Sequence, residues 1–527
     1  MNNYSEKAMR SKSNKVVKKV KEEPTKTVKK KKVKKQHLLF YKLVSFLLII
    51  LTVFTFGMVI YNDFFDWKYL TIVGIVVFIL VFIIVRILNK RRLRTWIKNI
   101  FTFISFLIYI FEILVLVYGM TFLNFLSTIT DTGFRVESFG LYVLDDSIYK
   151  EPEDIVDGYV YYLNTNETKT TNQALDKLSK KFKYTDIPSD SLKELLDKLE
   201  NKDANAIFMN KSYYDIALEE YPEIAKSLRL IYTVEVTDTV QTLKTDKDIT
   251  KEPFTVYISG IDTSGNVASS ARSDVNILLT INPNTNQILM VSTPRDYYIT
   301  LASKGKKDKL THAGIYGVEE SVKTLNNLYD VNIDYYVRIN FTSFMKIVNS
   351  LGGIEVNVPK SFCEQNSKRS FEEGDLICLN KGKQKLNGEQ ALAFARHRKT
   401  LAEGDKTRGS NQMWVLEAII KKTLSLDSIT KLNSIIKSLE GRVITNMSTE
   451  DMYKFAKKEM KKNPNFTFTS FSTNGTSATR PCFAVGGANA SVMLQDEDAV
   501  EHVKKMFDEI YQGKEVTPYT TTTTKKQ

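Results

Sequence analysis

Apolar residues gather in three long runs near the start of the chain, at residues 38–60, 69–88 and about 100–122. Each run can cross ~30 Å of hydrocarbon as a helix rising ~1.5 Å per residue, so three transmembrane helices are predicted over 37–123. Beyond them the pattern shortens. Apolar stretches at 158–163, 206–209 and 230–236 alternate with helical spacing such as Leu192, Leu195, Leu196 and Leu199, which predicts a small α/β domain over 124–249. The polar segment 237–252, closed by Pro253, is the expected linker. From Phe254 strand patterns recur at 254–261, 276–282, 287–292 and 354–358, and residues 385–395 open a helix with Asn387 as its cap. These predict a larger α/β domain over 250–510, followed by a disordered tail at 511–527 that holds the threonine run 520–524. A chain of 527 residues exceeds the ~250–300 at which one core stops growing.

Charge changes the picture of the first segment. Residues 1–36 carry 14 basic side chains against three Glu, and residues 37–98 carry eight against two Asp, which leaves everything after them at −3 out of a total of +14. The basic balance is therefore a property of a cytoplasmic tail, not of the folded bulk, and no nucleic-acid partner is expected. The connector between the second and third runs holds Lys90, Arg91, Arg92, Arg94 and Lys98, whereas that between the first and second holds Asp63 and Asp66 with Lys68. Basic loops stay inside, so a multi-pass cell-membrane protein is expected, with its N-terminus cytoplasmic and residues after about 123 outside. The first run is too long for the apolar core of a cleaved signal and is expected to stay attached. Glu112 lies within the third run, where an acid is expected to be protonated or paired with another helix.

The three cysteines and four scattered histidines have no metal-ligand spacing. Cys363 and Cys378 flank a polar, Gly-containing stretch that reads as a hairpin-like loop, and outside the cell a disulfide between them is compatible with that spacing. Arginine is used sparingly, 16 against 58 Lys, and five arginines fall in short charged motifs at strand or helix ends. These are Arg272-Ser273-Asp274, Pro294-Arg295-Asp296, Arg396-His397-Arg398 and Asp405-Lys406-Thr407-Arg408. Planar, bidentate recognition of phosphate needs Arg where Lys does not substitute. Asp405 can cap a helix through Trp414 that sets Arg408 and Gln412 one turn apart, and Arg396 and Arg398 share a face if their segment is extended. Each motif alone is more often a surface ion pair; their joint occurrence points to an anion site.

Asp262, Arg272-Ser273-Asp274, Pro294-Arg295-Asp296, Leu351-Gly352-Gly353, Leu386-Asn387-Gly388-Glu389-Gln390-Ala391-Leu392, Arg396-x-Arg398, Gly404-Asp405-x-x-Arg408-x-x-x-Gln412 and the later Thr445-Asn446-Met447-Ser448 resemble, in order and spacing, the LytR–CpsA–Psr (LCP) family over about residues 250–510. Three spans with an extra outer domain resemble its capsule-type branch. Val275 stands where the family has Thr, and Gly317-Val318 replaces a Gly-Gly. The resemblance implies an α/β/α domain with a central mixed sheet, beside the smaller α/β accessory domain. It also implies a phosphotransferase that moves a capsule- or teichoic-acid-type glycopolymer from a polyprenyl-pyrophosphate carrier to peptidoglycan. Asp262 and Asp274 would hold Mg²⁺, with Mn²⁺ as the alternative ion. Arg295, Arg396, Arg398 and Arg408 would clamp the phosphates, supported by Arg272, Lys309 and Gln412, and Asp405 would orient Arg408 or act as general base. Two other classes stand beside this one: a module that binds lipid pyrophosphate without chemistry, which the same residues fit, and a membrane-bound regulator of envelope polysaccharide synthesis, which leaves the arginine cluster without a task. Phe341, Phe344, Met345, Ile347 and Val348 would either line a lipid trough or form packed core, as helical spacing favours.

Overall fold

The computed structural model describes residues 37–61, 67–129, 134–164, 168–239, 243, 245–261, 270–368, 370, 372, 374–398, 404–423, 443–448, 451, 452, 454, 455, 458, 459 and 465–518. The chain divides into two compact units, residues 1–122 and 123–527. In the first, α1 (His37–Tyr61), α2 (Trp67–Asn89) and α3 (Thr95–Ile129) are each long and apolar enough to cross a membrane. Leu48, Ile84 and Leu88 pack between them, while side chains such as Phe78 and Phe103 face outward. Thr52 donates to Glu112 Oε1 at 2.6 Å, tying α1 to α3, so Glu112 is paired with another helix as expected. Asn89 donates to Ser45 Oγ at 3.0 Å and ties α2 to α1.

The second unit holds two sheets. The first contains β1 (Phe134–Leu144), β2 (Gly158–Leu163), β3 (Tyr184–Ser189), β4 (Ala206–Asn210) and β5 (Leu228–Thr239), in the order β3-β2-β4-β1-β5. Its helices are α4 (Thr168–Ser179), α5 (Leu192–Glu200), α6 (Lys211–Glu220) and α7 (Pro222–Lys226). Alternation assigns the faces. Leu141, Val143 and Phe208 pack on Leu175 and Leu178 of α4, whereas Tyr142, Ile207 and Met209 pack on the four leucines of α5 and on Ile216 of α6. Strand β1 escapes the sequence pattern because Arg135 and Glu137 interrupt it; they pair at 2.7 Å with Glu137 buried. The segment expected as a linker is only partly one. Strand β5 runs to Thr239, and Ile249 is buried under the second sheet while Lys247 pairs with buried Asp334 at 2.9 Å.

The second sheet is mixed, in the order β16-β11-β6-β7-β8-β17, from β6 (Phe254–Ile261), β7 (Ser273–Asn282), β8 (Gln287–Ser292), β11 (Tyr335–Asn340), β16 (Val443–Thr445) and β17 (Thr467–Ser472). Strand β6 pairs parallel with β11 and antiparallel with β7. Short pairs surround it: β9 (Tyr298–Thr300) with β10 (Lys307–Lys309), β12 (Ile354–Val358) with β15 (Gly382–Leu386), β13 (Phe362–Glu364) with β14 (Ile377–Leu379), and β18 (Gly475–Pro481) with β19 (Asn489–Gln495). The helices are α8 (Leu310–Ala313), α9 (Val318–Tyr329), α10 (Phe341–Ser350), α11 (Gly388–Arg396), α12 (Gly404–Thr423) and α13 (Glu497–Tyr511). Leu278, Leu289 and Val291 face α9 and α13, while Ile277, Leu279 and Met290 face Met413 and Leu416 of α12. Helices therefore cover both faces, giving the expected α/β/α layering.

Residues 511–518 are docked rather than loose, because Val516 is buried in that core and Thr517 N donates to Glu509 at 2.8 Å; the threonine run 520–524 lies outside the described residues. Cys363 and Cys378 face each other across β13 and β14 and are bonded. Val348 of α10 is fully buried with Phe344 and Ile347 partly buried beside it, whereas Phe341 and Met345 are half-exposed and outside that cluster, so the packed-core reading holds for only part of the set.

Candidate active site

Strand β7 enters the sheet through an irregularity. Gly260 pairs with Val275 and Ile261 with Ser273, so Asp274 is the extra residue of a bulge, which re-aims its side chain out of the ladder. Its neighbour Ser273 is anchored in the opposite sense: its hydroxyl lies 2.9 Å from Tyr257 Oη and 2.8 Å from Ser259 Oγ, all buried. Buried Arg338 of β11 donates from Nη2 to Ala271 O at 3.2 Å, holding the residue before Arg272. A Cβ on Gly314 would come within 2.7 Å of Ala271 O and 2.8 Å of Ser273 N, so only glycine lets the segment after α8 approach this entry.

After β8 the chain turns at Pro294, with Tyr297 N donating to Pro294 O at 3.2 Å, and delivers Arg295 to the same edge. Arg295 Nη1 meets Asp274 Oδ1 at 3.1 Å, and Thr311 of α8 donates to that oxygen at 3.3 Å. Burial disfavours the Arg295 cation, but Asp274, Asp296 and Glu219 outweigh it and hold the guanidinium protonated well above its ordinary range.

Helix α11 begins with a reciprocal Asn387–Gln390 capping box, confirming Asn387 as the cap, and ends at Arg396. The Arg396-His397-Arg398 run is thus not continuously extended. The helix continues as far as Arg396, and the chain leaves it at His397, with φ −65° and ψ 131°, so Arg398 lies beyond the helix end. Burial pushes the Arg396 guanidinium down, with Glu364, Asp274 and Glu389 opposing, which places it within electrostatic reach of Asp274. Its guanidinium carbon lies 5.6 Å from the Phe341 ring centre. Buried His397 pairs with Glu364 at 3.0 Å and stacks on Phe362 at 3.8 Å, a structural role. Arg398 is exposed just beyond.

Buried Asn411 of α12 donates to Phe394 O at 3.0 Å, locking α12 against the end of α11. At Gly409 the helix approaches Ser292 and Ser472, the last residues of β8 and β17. Arg408, half-buried, and Gln412, one turn on, thus stand at the edge where Arg295 emerges three residues after Ser292. The helix already includes Gly404, so Asp405 sits in its first turn rather than at the cap; the Asp405 side chain and all of Asp262 lie outside the described residues.

Lys309 is placed differently from the arginines. Only 1% of its side chain is exposed, and its ammonium meets Glu219 Oε1 at 3.1 Å and Glu220 Oε1 at 2.6 Å, both from α6 of the first sheet. Glu219 Oε2 also pairs with Arg272 and lies 3.9 Å from Arg295 Nη2. Burial alone would raise the Glu219 carboxyl, but Arg295, Lys309 and Arg272 together hold it down at about 2. The structure thus joins Arg272, Asp274, Arg295 and Lys309 into one network with Arg396 near it, and adds Glu219, Glu220 and Arg338, which the sequence reading passed over. One signal was available. Two Glu in the last turn of a helix with no basic residue there oppose the helix dipole, which calls for outside compensation.

The model of the LytR_cpsA_psr family matches residues 226–505. The chain is 37% identical over 230 residues to the polyisoprenyl-teichoic acid–peptidoglycan teichoic acid transferase TagU of Bacillus subtilis (strain 168), an alignment covering 42% of this chain and 71% of that relative. It is 40% identical over 205 residues to TagT, a transferase of the same description from the same organism, covering 38% and 62%. Among solved structures, B. subtilis TagV is similar at 30% identity and a TM-score of 0.41, over 50% of this chain and 99% of that one. The matched family region exceeds half of the chain and contains all of the arginine motifs, and with it the chain belongs to the LytR_cpsA_psr family.

Proposed function

We propose that this protein is a membrane-anchored glycopolymer transferase working on the outer face of the cell membrane. It would take a capsule- or teichoic-acid-type polymer linked through pyrophosphate to a polyprenyl carrier and pass it, with one phosphate, to a sugar hydroxyl of peptidoglycan. The acceptor oxygen bonds to the polymer-bearing phosphorus, the bond from that phosphorus to the bridging oxygen breaks, and polyprenyl phosphate leaves. The acceptor proton goes to a base, for which Asp405 is the candidate. The observation that carries this reading is the Asp274–Arg295 pair at the β7 bulge, with Arg272 joined to Arg295 through the Glu219 carboxylate. Such an array stabilises charge at a transferring phosphoryl group, which is most of what this chemistry requires. Confining enzyme and carrier to one membrane would raise their effective concentration.

Asp274 Oδ1 already accepts from Arg295 and Thr311, and among the described residues no three metal-type ligands are gathered. Mg²⁺ is commonly held by one or two carboxylates and completed by substrate phosphates and water. Asp274, with Asp262, would hold it, and Mn²⁺ has the same preference for oxygen. When bound, the ion would neutralise charge on the pyrophosphate. Arg408, Arg398 and Gln412 would complete the clamp.

The test is transfer from a lipid-linked donor to peptidoglycan fragments by the purified full-length protein. Replacing Arg396 and Arg398 with Ala should abolish transfer and leave circular dichroism unchanged; undiminished transfer refutes the assignment. A donor that is bound but unchanged by the wild type, as by an Asp274→Asn control, would identify a binding module instead.

A further inference from the structure

The network at the β7 entry draws part of its charge from the other sheet. Glu219 and Glu220 close α6, and between them they contact Lys309, Arg272 and Arg295. The same helix reaches this entry at its other end, where Ser212 Oγ donates to Ser270 O at 2.7 Å, while Ser270 N donates to Val136 O of β1 at 3.1 Å. Both backbone polar groups of Ser270, two residues before Arg272, are thus held by the accessory domain.

Lys309 faces the accessory domain rather than the open site. Its ammonium is enclosed and carries two carboxylate partners within hydrogen-bond distance, both on α6. A donor phosphate could reach it only by displacing them. Lys309 is therefore placed to hold Glu219 rather than to grip the donor, and Glu219 passes that constraint to Arg272 through its second oxygen. An arginine offers five N–H donors in a fixed plane, so a carboxylate on one of its nitrogens can set the orientation of the rest.

We propose that Glu219 of the accessory domain is a positioning residue of the transferase site, holding Arg272 in the plane in which it meets the donor pyrophosphate, with Lys309 as its buried counter-ion. The accessory domain is then a working part of the anion site rather than a spacer. This rests on the transferase reading for its substrate, but not for its geometry.

The test uses the full-length protein in proteoliposomes, with two readouts. One is transfer from a lipid-linked teichoic-acid-type donor to peptidoglycan fragments; the other is equilibrium binding of geranylgeranyl pyrophosphate, which needs no turnover. Glu219→Gln should raise KM and the dissociation constant of the probe about tenfold, the scale of one charge-assisted contact, with kcat within about threefold. Glu219→Asp should recover part of the affinity, and the unfolding midpoint of each variant checks folding. Unchanged or tighter binding by Glu219→Gln overturns the proposal, the tighter result meaning that the carboxylate competes with phosphate for its seat. A wild type that binds the probe but transfers nothing refutes the transferase reading, and the shift in dissociation constant still decides the role of Glu219. A wild type that neither binds nor transfers overturns both.

Discussion

Where β4 ends in the first sheet, the chain passes directly into α6: Asn210 caps the helix by accepting from Ser212 N at 3.0 Å, and every residue of the strand is buried. Where β7 begins in the second sheet, the ladder slips by one residue and Asp274 is turned out to meet Arg295. Both sheets are mixed, and both carry helices on two faces. They differ at their edges. The regular edge buries apolar surface, whereas the irregular one places charge beside charge without filling the ladder. The first sheet has a register shift too, between Leu141 and Tyr142 of β1, but both residues there are buried apolar side chains, whereas the shift in β7 falls on a charged one, Asp274.

The largest effect separating the two should come from Arg295. Replacing it with Ala removes the partner of Asp274 and one contact of Glu219, and kcat for glycopolymer transfer should fall by roughly 10²–10³-fold, as when a charge-stabilising donor is lost. Arg295→Lys should recover little, since an ammonium is not a planar fork. A Lys variant with near wild-type kcat in the transfer assay would show that only charge matters here. The counterpart in the first sheet is Leu178 of α4, fully buried against Phe208 and its neighbours. Leu178→Ala should cost about 2–5 kcal/mol in denaturant unfolding with kcat per folded molecule unchanged. A matching loss of kcat would mean that the outer face of the first sheet also supports the site.

Sequence alone was informative where one rule governed each position. The short, near-continuous apolar runs at 276–282 and 287–292 read directly as strands because both faces of β7 and β8 are covered by helices, and Asn387 reads as a cap because Gln390 follows three residues later. The arginine motifs were legible as a set, since arginine is scarce in a lysine-rich chain. What stayed hidden depends on contacts distant in the chain. Glu219 and Lys309 are 90 residues apart and meet only through packing of α6 on the second sheet. Strand β1 conceals itself because Arg135 and Glu137 look exposed in sequence but neutralise each other in the interior. The bulge at Asp274 leaves no trace in residue type, as it follows from how β6 and β7 are registered.

The smallest effect is the most diagnostic of how the two sheets are joined. The Glu219 carboxyl is held at about 2 against an ordinary 4.5, burial being outweighed by Arg295, Lys309 and Arg272. A depressed carboxyl contributes stability that is fully present above its unfolded value and disappears as pH falls through its folded one. The difference in unfolding free energy between wild type and Glu219→Gln should therefore be flat above about pH 4.5, shrink steadily below it, and vanish near pH 2. Because 30% of the Glu219 side chain is exposed, solvent screening limits this to roughly 1–2 kcal/mol. The deficit of Leu178→Ala comes from lost packing and should stay level over the same range. Paired denaturation curves at several pH values distinguish the two. A Glu219→Gln difference that did not narrow would mean that the carboxylate fills space at the junction rather than holding its cations.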